Sequence, residues 1–271
     1  MFFFGSLMLD WAQTQIAAGP IQFGKIQVEP ARAMEWMKQQ LRVLSGTRET
    51  FAVFFGYQGA MTMIVLTLSG AVLVGNDFAS RGVSFFLAKP ISPWHYLLGK
   101  FLAVGIVIHL LTTVPALLLF GQNASNDWNY LLDPEFFRNN NGQGPAGWPL
   151  LLGIFGYAMV LTFVLGILLV TTAAWMERTM PLILVWTSGF LFARALAIAL
   201  VNLHQDARWR LLDLWNSLGL LGQACLGFDH KEINPTPQPS FTEAAIVLGG
   251  VCVLCLFFLH LRMRRLEVVR T

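Results

Sequence analysis

The chain has 271 residues, 55% of them hydrophobic and only 12% charged, with a formal net charge of +3 and a mean hydropathy of +0.59. A water-soluble domain of this length cannot hide that much apolar surface, so the composition excludes a soluble globule and defines an integral membrane protein. The weak positive balance forms no basic stripe interleaved with aromatic residues, which excludes nucleic acid as a partner and leaves the lipid bilayer as the surrounding medium.

Met1 to Leu9 is apolar but only about 13 Å long as a helix, with no basic leading region and no small-residue cleavage motif. Residues 1–11 therefore read as the end of a truncated first span. Residues 12–50 are polar and mixed, an extracytoplasmic segment punctuated by Gly19-Pro20 and Glu29-Pro30. From Ala31, the spacing of Met34, Met37, Leu41 and Leu44 predicts an amphipathic surface helix, joined through Ser45-Gly46-Thr47 to the first complete span. That span, 51–76, carries no charge from Phe51 to Gly75, about 37 Å as a helix and enough to cross a bilayer.

Residues 77–100 form a polar interlude between two apolar runs. Asp77 and Arg81 stand four apart, and Val83, Phe85, Phe86 and Leu87 make an apolar patch. Lys89-Pro90 then stops the segment, because proline lacks an amide donor and disfavours helix at the residue before it. The pattern predicts a short interfacial helix from about Phe78 to Lys89. The next span, 101–120, has only His109, Thr112 and Thr113 as polar side chains.

Gly121 to Gly147 reads as a solvated loop rich in Asn, Asp and Gly. Spans 148–174 and 181–203 follow, joined by Glu177-Arg178-Thr179, with Trp148 and Trp175 as aromatic anchors and Pro181 opening the second helix. Residues 204–240 lie on the extracytoplasmic side. Their first half, with Trp209, Leu211, Leu212, Leu214, Trp215 and Leu218, is too apolar for a free loop, yet Arg210, Asp213 and Asn216 break any span. It reads as an interfacial or re-entrant helix pair. The last span, 241–261, leads into a tail, 262–271, with Arg262, Arg264, Arg265 and Arg270. Cytoplasmic segments concentrate Lys and Arg near span ends, so the C-terminus and the 77–100 loop are expected on the cytoplasmic side of the cell membrane.

Arg194 is the one formal charge deep in an apolar run. Such a residue costs about 2.5–3.5 kcal/mol on insertion scales, so it either meets an anionic substrate group or gate, snorkels toward Asn202, His204 and Asp206, or pairs with a structural neighbour. Cys252 and Cys255 form C-x-x-C inside an apolar run without polar second partners and read as packing residues, not as a metal or redox centre. There is no G-x-x-x-x-G-K-[ST], no H-E-x-x-H and no G-x-S-x-G, and the five histidines have no ligand spacing. The chain is thus expected to hold no catalytic residue, cofactor or metal. Gly56 to Gly59, Gly153 to Gly156 and Ala193 to Ala197 are small-residue spacings that let helices approach closely.

The 77–100 stretch resembles the loop between the second and third spans of ABC exporter permeases of the type-2 class. There an acidic residue at the membrane edge precedes a leucine-rich patch, a proline and a Leu-Gly-Lys. Here those positions read Asp77, Phe85 to Leu87, Pro90 and Leu98-Gly99-Lys100. The chain differs in having Arg81-Gly82 before the patch, where the family often has Gly-Thr, and Pro93 where the family has a basic residue. The resemblance implies an all-α polytopic bundle of five complete spans plus the truncated first. It also implies a coupling loop, Asp77, Arg81, Gly82, Phe85, Phe86, Lys89, Pro90, Gly99 and Lys100, that docks on an ABC ATPase subunit. ATP and Mg would bind to that partner, and a second permease copy or paralogue would complete the transporter. Arg194 is the candidate pathway residue. The alternative, from a different class, is a membrane-embedded assembly or scaffold subunit that moves no substrate.

Overall fold

The computed structural model describes residues 11, 14, 21–23, 26–28, 46, 48–70, 93–126, 147–176, 179–227 and 237–268. Six α-helices run through them: α1 (Arg48–Gly70), α2 (Pro93–Asn126), α3 (Trp148–Met176), α4 (Thr179–His204), α5 (Leu214–Cys225) and α6 (Phe241–Val268). A 3-10 turn, Ala207–Leu212, lies between α4 and α5. Two short strands, β1 (Ile21–Phe23) and β2 (Ile26–Val28), pair antiparallel with Ile21 opposite Val28. Apart from this short hairpin ahead of the first described span, the regular structure of the described residues is helical, in keeping with the expected helical bundle. The surface helix expected from Ala31 lies outside the described residues, as does all but Trp11 of the end of the first span.

Five helices are long and apolar enough to cross a bilayer: Arg48–Leu68, Trp94–Ser125, Trp148–Met176, Met180–His204 and Phe241–Arg264. In hydrocarbon, each backbone amide must be satisfied within its own segment, which is why uncharged runs of this length close into helices. The protein is a helical, multi-pass membrane protein by this measure.

Two boundaries differ from the sequence expectation. Helix α2 begins at Pro93, where proline is tolerated because the first helical amide has no intrahelical acceptor. Gly99 and Lys100 therefore lie within α2 and not in a loop. At its other end α2 continues to Asn126, so Gly121 to Asn126 are helical and not solvated coil. With 34 residues α2 is about 51 Å long, well beyond a hydrocarbon core of about 30 Å, so its ends project past the core.

Helix α3 is the hub and touches α1, α2, α4, α5 and α6. Leu150, Ile154, Leu161, Leu165 and Leu169 are fully buried along it, and Phe51, Phe55, Leu66, Ile108, Leu119, Leu182 and Leu218 close the core around them. Tyr157 of α3 stacks on Phe55 of α1 with ring centroids 4.5 Å apart. Helices α4 and α6 are peripheral and turn broad apolar surfaces outward.

The helices alternate in direction. Arg48 Nη1 donates to the Gly227 carbonyl at 2.7 Å, and a Cβ on Gly46, whose φ is +74°, would meet Asn123 Oδ1 at 2.5 Å. The start of α1, the end of α2 and the end of α5 thus share one end of the bundle, here the α5 end. At the other end, Trp94 stacks on His260 at 5.9 Å and the Arg262 guanidinium lies over the Trp175 ring at 5.7 Å. The start of α2, the end of α3 and the end of α6 meet there, at the tail end. Trp186 Nε1 donates to Thr172 Oγ1 at 2.9 Å, bracing α4 against α3.

Candidate functional site

The densest polar chemistry among the described residues gathers at the α5 end, where α4, the 3-10 turn, α5 and the start of α6 meet. Three of these elements start there, each with a side-chain cap. Asp206 accepts the Arg208 amide at 2.9 Å and opens the 3-10 turn. Asp213 accepts the amides of Trp215 and Asn216 at 3.0 and 3.2 Å through one oxygen, Oδ1, and opens α5. Ser240 and Glu243 form a capping box on α6: Ser240 N donates to Glu243 Oε2 at 3.0 Å, and Glu243 N donates to Ser240 Oγ at 3.3 Å. Sequence reasoning passed over this last device, although the Ser-x-x-Glu spacing ahead of an apolar run is its signature.

Polar contacts tie the cap region to α6. Arg208 Nε and Glu243 Oε1 form an ion pair at 3.1 Å, and Asn216 Nδ2 donates to Gln238 Oε1 at 3.0 Å. The Arg208 side chain is 75% exposed, so water screens that pair.

Asp213 is different, being only 7% exposed. Burial pushes its carboxyl above the usual carboxylate range. The Asn216 amide, the Arg194 charge, the Trp215 amide and the Arg210 charge pull the other way. Arg194, which the sequence left open between substrate contact, snorkelling and pairing, is exposed on α4 and its charge reaches Asp213. Ser217, one turn along α5 from Asp213, is fully buried, and neither its Oγ nor Arg210 Nε has a hydrogen-bond partner among the described residues.

Close backbone approach seats α5. A Cβ on Gly222 would overlap the Tyr157 ring, one on Gly153 would come within 2.7 Å of the Cys225 carbonyl, and one on Gly59 within 2.8 Å of Trp215 Cη2. Gly153 and Gly59, singled out from their spacing, thus make room for α5. Gly56 instead faces open space. Gly227, with φ +67°, ends α5 in the left-handed conformation suited to glycine. Cys225 packs beside Gly156, and burial pushes its thiol up, which makes it a poor nucleophile.

The loop residues Asp77, Arg81, Gly82, Phe85, Phe86, Lys89 and Pro90 lie outside the described residues. Gly99 is exposed on α2, and Lys100 Nζ lies 5.7 Å from the Tyr96 ring centroid, one turn before it. Among the described residues no three His, Cys, Asp or Glu side chains gather as metal ligands would. Cys252 and Cys255 are half-buried and unbridged.

Fold and site together define a helical membrane protein with a short capped helix wedged into one end of its bundle. Compared with protein-family models, curated proteins and solved structures, the chain matches none.

Proposed function

We propose that the chain is the membrane-spanning permease subunit of an ATP-binding cassette transporter of the type-2 exporter class, energised by ATP and Mg on a separate ATPase subunit. One observation carries this reading. The residues flanking 71–92, the end of α1 and the start of α2, lie at the same end of the bundle as the α6 terminus, where Trp94 stacks on His260. The Arg-rich tail supports a cytoplasmic assignment of that end by the positive-inside rule, and with it a cytoplasmic 77–100 loop within reach of an ATPase. The wedged helix α5 then caps the extracytoplasmic end.

In this reading residues 78–89 seat in a groove of the ATPase, with Phe85 and Phe86 as apolar anchors and Arg81 and Lys89 as charged flanks. ATP-driven closure of two ATPases moves two such segments together. Rigid spans carry the motion to the α5 end, in a dimer with a second copy or a paralogous permease in the cell membrane. Two global states with different contacts are what this coupling needs.

The test is a pull-down of the tagged chain from its native membrane in mild detergent, with mass spectrometry of what accompanies it. The permease reading expects a P-loop ATPase with the wild type and its loss with Lys89→Glu or Phe86→Asp. If no ATPase appears in any of several detergents, the chain is an assembly or scaffold subunit instead.

A further inference from the structure

Hydrocarbon offers a polar side chain neither charge nor hydrogen bonds, so the lipid-facing surface of a span is expected to be apolar. Between the ends of their spans, α1, α2, α3 and α6 follow this. Their exposed residues there are aliphatic, aromatic, methionine, alanine or glycine, such as Met61 and Ile64 of α1, Ile106 and Leu110 of α2, and Val253 and Leu254 of α6. Helix α4 does not, because it exposes Thr187, Ser188, Arg194 and Asn202. Leu182, Trp186, Phe190, Ala197 and Val201 are its buried residues and form one line, so α4 meets the bundle along a narrow face. Flanking that line on one side, Thr187, Leu191, Arg194, Ile198 and Asn202 recur at spacings of three and four, all of them exposed. Val185, Phe192, Leu196 and Leu203 hold the opposite edge of the exposed arc and are wholly apolar.

Arg194 stands ten residues before His204, the last residue of α4, about 15 Å along the axis. Among the described residues it makes no hydrogen bond and no ion pair, with Asp213 or with any other. An exposed guanidinium at that depth is costly until a carboxylate meets it. A stripe spaced by three and four is also the surface into which a second helix packs. One charged residue within such a seam admits a partner of opposite charge and rejects the rest. We propose that the Thr187 to Asn202 stripe of α4 docks a transmembrane helix of a different chain, one that carries an Asp or Glu at the depth of Arg194. A second copy of this chain does not supply it, since none of the five spans holds an Asp or Glu away from its ends. A two-fold axis through the stripe would moreover set Arg194 against Arg194. In the permease reading the occupant is then a paralogous permease. The docking itself rests only on α4 lying in a bilayer, and the ATPase pull-down tests the permease reading separately, whichever chain is found here.

The experiment is photo-crosslinking of the full chain in its native membrane, with p-benzoylphenylalanine placed singly at Leu191, Ile198 or Phe192 of α4, or at Leu254 of α6. Leu191 and Ile198 are expected to capture one and the same membrane protein, with an acidic residue inside one of its spans, while Phe192 and Leu254 capture lipid. Arg194→Leu is expected to lower that capture about tenfold or more, and Arg194→Glu to abolish it. Replacing the partner's acidic residue with Arg is expected to restore capture to Arg194→Glu. A variant rescued by a change in another chain has not failed to fold, so this charge swap separates lost docking from lost structure. The proposal is overturned if Leu191 and Ile198 capture only lipid, if they capture a second copy of this chain, or if the captured chain has no acidic residue in its spans. It is overturned equally if the charge swap restores nothing. Labelling of Ile198→Cys, but not of the wild type, by a membrane-impermeant thiol reagent would also overturn it, because the stripe would then line an aqueous path.

Discussion

Gln58 of α1 donates its side-chain amide to the Leu111 carbonyl of α2, the carbonyl that Pro115 leaves without an intrahelical donor four residues on. A proline inside a helix removes one amide and crowds the preceding turn, and in a bilayer no water replaces the missing donor. A neighbouring helix has supplied it. Gln58→Leu is expected to lower stability by about 1 kcal/mol, and Pro115→Ala in the same chain should recover most of it by restoring the intrahelical bond. A double-mutant cycle on detergent melting temperatures checks this, and additive losses would mean that Gln58 and Pro115 are not coupled.

Helix α5 holds its place through contacts that tolerate no extra atom. Gly222→Ala drives a methyl into the Tyr157 ring and is expected to cost about 1–3 kcal/mol, the usual penalty for overpacking. Gly189→Ala on α4, where nothing lies within 4 Å, is the matched control and should be neutral or slightly stabilising. Limited proteolysis across 205–240 reads the difference, since an unseated α5 exposes that stretch while the five long helices stay closed.

Asp213 predicts a pH dependence. Its carboxyl titrates above the ordinary value of about 3.9, so its ionised form is the one that folding disfavours. The stabilising contribution of the protonated form is complete below that ordinary value and is lost as pH rises through the raised folded one. Asp213→Asn, which never ionises and still accepts the Trp215 and Asn216 amides, should therefore gain on the wild type as the pH is raised from acid toward neutrality. Asp213→Ala loses the cap as well and is expected to fall by about 0.5–2 kcal/mol. Melting temperatures of all three across a pH series give the answer; parallel curves for wild type and Asn would contradict the raised carboxyl.

The start of α6 separates a cap from a surface ion pair. Ser240→Ala removes one half of the capping box and should cost about 1 kcal/mol. Arg208→Gln breaks only a water-screened pair and should change stability by less than about 0.5 kcal/mol, with any effect vanishing in high salt. Denaturation at low and high ionic strength distinguishes the two.

What could be read from residue order alone, and why, is visible in particular elements. An uncharged run of about twenty residues has one low-energy structure in hydrocarbon, so the five long helices were legible without any knowledge of their neighbours. Local signals were legible in the same sense: Ser240-x-x-Glu243 carries its cap within four residues, and Pro93, which the 77–100 boundary placed in a loop, stands at the first position of α2. The joining of helices was not legible. Periodicity identifies a core face only where the opposite face must be polar, and in lipid both faces of α3 and α6 are apolar, so residue order says little about which neighbour each side meets. Gly222 against Tyr157, Gln58 against Leu111 and Gly59 against Trp215 are pairs distant in sequence, created when the helices pack. Composition and charge decided that this chain lies in a membrane. Only tertiary packing decided that α5 wedges among the spans, because that choice rests on which glycines of the facing helices leave room for it.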